Sequence, residues 1–172
     1  MIFVIKRYYF ELQRLINCNK AGRGTMKEIF SFKGYNGEHI TLNLIEVLGY
    51  PDTTSYEGGY DIICTLEIKC GCYTVNCDRY FAASGALYRF QKELIKCYEM
   101  LKGNAKYTLF LENDLFFEVF MESGGKANIK GNYQECPDKD NKLLFEIETN
   151  QTCLKPVIMG IDRLKRKLND DN

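Results

Sequence analysis

The segment KYTLFLENDLFFEVFMESGGKANIKGNY, residues 106–133, alternates apolar and polar side chains through two successive turns. A period of two is what a pleated strand with one buried face requires, and it is incompatible with a helix, whose apolar positions recur every three or four residues. Both turns can be set at once. A three-residue turn at Glu112-Asn113-Asp114 places Leu111 opposite Leu115, Leu109 opposite Phe117 and Tyr107 opposite Val119. A second around Ser123-Gly124-Gly125 places Met121 opposite Ala127 and Val119 opposite Ile129, with Glu122 facing Lys126 and Glu118 facing Lys130 on the other side. The register predicts a three-stranded meander.

The same grammar recurs elsewhere. KEIFSFKGYNGEHITLNLIEVLGY reads as two strands joined at Asn36-Gly37, followed by the turn-rich loop PDTTSYEGG. In YDIICTLEIKCGCYTVNC, Ile62, Cys64, Leu66 and Ile68 share one face, and Ile63, Thr65, Glu67 and Lys69 the other. A two-residue turn at Cys70-Gly71 sets Ile68 opposite Tyr73, Leu66 opposite Val75 and Cys64 opposite Cys77. Residues 84–102 carry Leu87, Phe90, Leu94, Cys97 and Leu101 at helical spacing, with Ser84 as N-cap and Gly103 as the stop. KLLFEIET supplies a further strand, and LKPVIMGIDRLKRKL a closing basic helix with Val157, Ile161, Leu164 and Leu168 inward. The fold class expected is α+β: a predominantly antiparallel β-meander of about seven strands, near the usual upper range for one sheet, with two amphipathic helices packed on it.

Eight cysteines raise the question of metal, and four lie between residues 64 and 77. In the hairpin register Cys64 and Cys77 are buried neighbours, Cys70 lies in the turn and Cys72 points to the opposite face. Such thiols do not converge on one tetrahedral ion, and the C-x-C spacing departs from the paired C-x₂₋₄-C of zinc knuckles. Buried cysteine in a reducing compartment behaves as a small hydrophobe. No metal or other cofactor is expected.

Lys plus Arg and Asp plus Glu each total 23, so the whole chain exerts no general attraction on nucleic acid or anionic membrane. Residues 1–25 form a basic leader, with Lys6, Arg7, Arg14, Lys20 and Arg23 against Glu11 alone, which leaves residues 26–172 as one mildly acidic domain. Lys6 and Arg7 interrupt the apolar start that a secretory signal needs, so export is not expected. The leader reads either as a helical or irregular appendage, as a basic amphipathic helix on a membrane surface through Phe3, Leu12, Leu15 and Ile16, or as a translated upstream region with Met26 the physiological start. No segment approaches the roughly 18 apolar residues of a membrane span. The expectation is a cytoplasmic protein.

The search for catalysis returns little. His39 is the sole histidine and sits beside a hairpin turn, and neither a P-loop nor a dinucleotide glycine fingerprint occurs. No basic stripe with interleaved aromatics suggests nucleic acid. Phe110, Phe116 and Phe120 fall on the face that also carries Glu118 and Glu122. Sheets habitually pack a helix on an apolar face, so a covering helix is expected there; the competing reading is an exposed patch that a protein partner buries.

The order of elements from about Tyr60 onward resembles the WapI-type immunity proteins of bacterial polymorphic toxin systems. The resemblance lies in a strand pair, the helix ALYRFQKELIKCYEMLKGNAKYTL with its L-K-G-N-A exit, then GGKANIKGNY, then LLFEIETNQTCLKPVIMGIDRL, with Asn150 where such families show Asp in a D-Q-T-like triplet. It implies a non-enzymatic, antitoxin-like inhibitor that binds the toxic domain of a cognate protein. A basic nuclease domain would suit the acidic body electrostatically. The expected contact residues are the loop acids Asp52, Glu57, Glu112 and Asp114 with Phe116 and Phe120. The competing class is a small enzyme or ligand-binding protein with a pocket between sheet and helices, using His39 or a reactive cysteine; a low-pKa thiol would favour it.

Overall fold

A computed structural model describes residues 27–110, 114–136 and 139–169. The leader, Met26 and Glu112 lie outside the described residues. The chain runs β1 (Lys27–Lys33), β2 (His39–Val47), β3 (Asp61–Cys70), β4 (Tyr73–Ala83), α1 (Ser84–Met100), β5 (Gly103–Tyr107), β6 (Leu115–Met121), β7 (Lys126–Tyr133), β8 (Leu143–Asn150) and α2 (Gln151–Lys167). The class is α+β and antiparallel as expected, but among the described residues the strands number eight and form two sheets, β1-β2-β3-β4 and β5-β6-β7-β8, where a single sheet was expected. The reason lies in α1. It leaves β4 without a loop and carries the chain away before β5 begins, so β4 and β5 never pair.

The β6–β7 register is the expected one, with Met121 opposite Ala127, Val119 opposite Ile129 and Glu118 opposite Lys130 around a short 3₁₀ turn at Ser123–Gly125. Two other registers differ by two residues. Tyr107 faces Phe117, not Val119, because β5 stops at Tyr107 and residues 108–110 leave β6 to reach another partner. In the cysteine hairpin Cys70 faces Tyr73, Ile68 faces Val75 and Leu66 faces Cys77, so the turn is Gly71-Cys72. Gly71 at φ 60 in the first central position fits a type II′ turn, whose twist matches the strands better than the Cys70-Gly71 placement. Cys64 consequently faces Tyr80, not Cys77, and the exposed turn residue is Cys72.

Helix α1 begins after Ala83, and Ser84, expected as N-cap, instead accepts the Tyr60 amide on its Oγ at 2.8 Å. Leu101 turns left-handed at φ 53 to end the helix and is 45% exposed, so it leaves the buried stripe to Leu87, Phe90, Leu94 and Cys97. Helix α2 is capped by Asn150, whose side chain accepts the Thr152 amide; Asn serves that role as well as Asp. Val157, Ile161, Leu164 and Leu168 are buried as expected.

Both sheets and both helices share one apolar core. Its centre is Phe117, in ring contact with Tyr107 at 5.0 Å, Phe90 at 5.2 Å, Phe32 at 5.8 Å and Phe30 at 6.4 Å, so one aromatic from β6 joins β1, α1 and β5. Aromatic pairs of this kind add roughly 0.5–1.5 kcal/mol each beyond the area they bury. The helices cross-link through Gln91 Nε2, which donates to the Ile158 carbonyl at 2.8 Å.

Candidate functional site

The loop between β2 and β3 is fastened by one carboxylate. Glu57 is 7% exposed, and a charge so withdrawn from water persists only when paired and hydrogen-bonded. Its Oε2 receives Arg89 Nη2 of α1 at 2.5 Å, its backbone carbonyl receives Arg89 Nη1 at 2.5 Å, and its Oε1 accepts the Phe110 amide. The Arg89 guanidinium then lies 4.4 Å from the centre of the Phe110 ring, a cation–π contact. Gly85 presses α1 onto the same loop, donating its amide to the Gly58 carbonyl at 3.1 Å. Three segments distant in sequence are thereby locked together, and the clamp explains why residues 108–110 leave β6.

On the solvent side of the clamp stand Tyr56, 78% exposed, and Phe110, 66% exposed. Each is a large side chain held out in water by a backbone that its neighbours fix. Sequence reasoning missed Arg89, Tyr56 and Phe110 as a group. Tyr56 had a local signal in its place before Glu57-Gly58-Gly59, whereas the Arg89–Phe110 contact is set by tertiary packing alone.

Asp52 lies exposed on this loop. Glu57 faces inward to Arg89, so its carboxylate serves the clamp. Asp114 is half-buried where β6 begins, its carboxylate accepting the Leu115 amide at 2.9 Å; burial outweighs that bond and pushes its pKa up to about 6. Phe116 and Phe120 are half-buried on the outer face of the second sheet. Among the described residues no helix covers them, against expectation, since α1 packs on the opposite, Phe117 side of β6. That outer face instead carries a row of alternating charge, Lys106, Glu118, Lys130 and Glu146, with Lys130 Nζ 3.1 Å and Lys106 Nζ 3.6 Å from their carboxylates. Asp52 thus shares the β2–β3 loop with Glu57, whereas Phe120 lies on the outer face of the second sheet.

Two buried thiols have the reverse of nucleophilic character. Burial pushes the Cys64 thiol well above its ordinary value and raises that of Cys97, whereas a reactive cysteine is lowered. His39 is engaged by Glu67 Oε1 at 3.1 Å and by the Gly37 carbonyl at 3.3 Å. Among the described residues no three His, Cys, Asp or Glu side chains gather as a metal-holding group, and no helix is long and apolar enough to cross a membrane.

The solved CdiA-CT/CdiI toxin and immunity complex from Enterobacter cloacae contains a chain to which this one is similar at 11% identity and a TM-score of 0.37, over 69% of this chain and 98% of that one. No curated protein matches. The model of the immunity protein WapI-like family matches residues 31–169, which takes in every strand and helix but the start of β1. With four-fifths of its length under that match, the chain belongs to the WapI-like immunity protein family.

Proposed function

We propose that this protein is a non-enzymatic immunity factor that binds and neutralises the toxic domain of a cognate toxin, and that the clamped loop surface is where it does so. Family membership supports the role. The observation that carries the surface is the Glu57 clamp. A buried carboxylate anchoring an exposed Tyr, Phe and Arg prepays the ordering that binding otherwise costs, and Tyr and Arg are enriched among binding hot spots. Asp52 adds negative charge from the same loop, and Asp114 and Phe116 enter the proposal as contacts at the start of β6. A basic nuclease domain is the partner class this combination suits, with the acids steering the encounter and the rings supplying the affinity. Glu112 and Phe120 are proposed as further contacts, Phe120 from the outer face of the second sheet.

The test is affinity for the toxic domain encoded in the adjacent reading frame. Phe110→Ala and Tyr56→Ala should each weaken binding by about 10- to 100-fold with little change in fold. Asp52→Lys should slow association, and more so at low salt. Wild-type affinity in both aromatic variants would place the interface elsewhere.

A further inference from the structure

Each sheet has two edges, and among the described residues three of the four meet another part of the chain. β1 lies under α2, where Gly160 meets the Ile29 carbonyl so closely that a Cβ would not fit. On β5, the Lys106 amide donates to Glu93 Oε2 of α1 at 2.8 Å. On β8, the Glu148 carbonyl accepts the Tyr35 amide at 3.2 Å and the Glu146 carbonyl accepts the Cys70 thiol at 3.4 Å. Among the described residues no comparable contact covers the Tyr73–Cys77 part of β4. Tyr73 and Cys70 close the hairpin, so the amides and carbonyls of residues 73, 75 and 77 turn toward β3 and those of Thr74 and Asn76 turn outward. Tyr73, Val75 and Cys77 point to the core side yet remain 65% exposed in the first case and half-exposed in the others, because among the described residues no strand lies beyond them. An unpaired row of backbone groups beside an open apolar ledge is a template for another strand.

We propose that the occupant is β4 of a second copy of this chain, paired antiparallel about a two-fold axis through Asn76. The strand carries the pattern that its own edge calls for, apolar at 73, 75 and 77 and polar at 74, 76 and 78. In that register Asn76 meets Asn76 of the second copy, Val75 meets Cys77, and Thr74 offers its hydroxyl to the Asp78 carboxylate. No like charges oppose one another. The bulge that sets Asp78 and Arg79 against Thr65 twists the strand away beyond that point and confines pairing to about five residues. The two sheets join into one of eight strands across the axis. The contact is far smaller than the ~1,600 Å² of a standard interface, so half-association should fall on the order of 100 µM. It uses the end of β4 remote from the Glu57 clamp, which abuts the start of α1, and does not depend on the toxin-binding proposal.

Sedimentation of the unmodified chain should show the mass rising from 20.0 kDa toward twice that value between ~10 µM and ~1 mM. Asn76→Lys, which sets two ammonium groups on the axis, should hold it at the lower mass. Val75→Cys in a Cys72→Ser background should give a covalent dimer when oxidised glutathione takes the two electrons of each new disulfide, since the pair faces across a non-hydrogen-bonded site. Adding Cys77→Ser should abolish that cross-link. A single 20.0 kDa species at ~1 mM with no cross-link overturns the proposal. So does slow exchange of the Thr74 and Asn76 amides at low micromolar concentration, which would mean that the chain itself covers the edge. A cross-link surviving Cys77→Ser overturns the Asn76-centred register.

Discussion

The described residues form two runs of four strands and a helix, and the two runs differ in how their sheets meet the core. In the first, strands of seven to eleven residues pair with a register break at every interface, between Glu28 and Phe30, Leu44 and Glu46, and Cys64 and Leu66. In the second, strands of five to eight residues pair without any. A bulge bends a strand and increases its twist, so the first sheet curls around the aromatic centre while the second lies as a regular floor. The outer faces differ accordingly. The first is tied by hydroxyls and amides, Ser31 to Thr41 at 2.8 Å and Asn43 to Thr65 at 3.0 Å, and the second by its row of alternating charge. Curvature is invested in the first half and electrostatic order in the second.

The helices supply the sharpest way to break this comparison. Each carries a glycine pressed against backbone, but Gly85 of α1 meets the Glu57–Gly58 carbonyls of its own half and Gly160 of α2 meets Ile29 of the other. Gly160→Ala should therefore separate the halves, lowering stability by about 3 kcal/mol in denaturant titration. Gly85→Ala should disturb the clamped loop more than the global transition. Equal losses of cooperativity in both variants would contradict the distinction.

Glu57→Gln comes next. It leaves Arg89 beside a neutral amide in a withdrawn site and should cost about 2 kcal/mol, read as a shift in the thermal midpoint. Amide exchange should quicken in residues 50–60 while the second sheet stays protected.

The seam between the sheets holds Asp114, whose pKa near 6 stands above the ordinary 3.8 because burial disfavours the charge. The folded state thus binds its proton more tightly than the unfolded chain does. This contribution to stability is present at pH 4 and is lost as pH rises through 6. Asp114→Asn should accordingly be more stable than the native chain at pH 7, on the order of 1 kcal/mol, with the difference gone at pH 4. A pH-independent difference would refute the assignment.

The smallest effect is expected on the second sheet's outer face. Lys130→Ala removes an exposed partner of Glu146 and should change stability by less than about 0.5 kcal/mol, and less still in high salt. Thr41→Ala on the first sheet should be insensitive to salt.

Legibility in the sequence follows the same division. The β6–β7 register could be read because alternation and charge pairing agreed through an unbroken ladder, so each face checked the other. In the first half the bulges interrupt that count, and a glycine in the cysteine turn fits either central position until the backbone sign is known. The division into two sheets was illegible for another reason: nothing local states that a helix following directly on Ala83 will carry the chain off the sheet. Of the candidate site, Asp52 was legible as an exposed loop acid. The role of Glu57 was not, since a carboxylate in a turn-rich loop looks solvated until Arg89, 32 residues away, is brought to it.

Helix α1 lies along β5 and α2 along β1, so each run of strands is roofed by the helix that follows the other. Neither run is a finished object. A fragment ending near Leu101 would leave its helix without a floor and its first strand without a roof, and the complementary fragment would have the matching vacancies. Folding is obliged to be a single joint event, and a protease that severs the connection near residue 102 gains nothing until both pieces let go together.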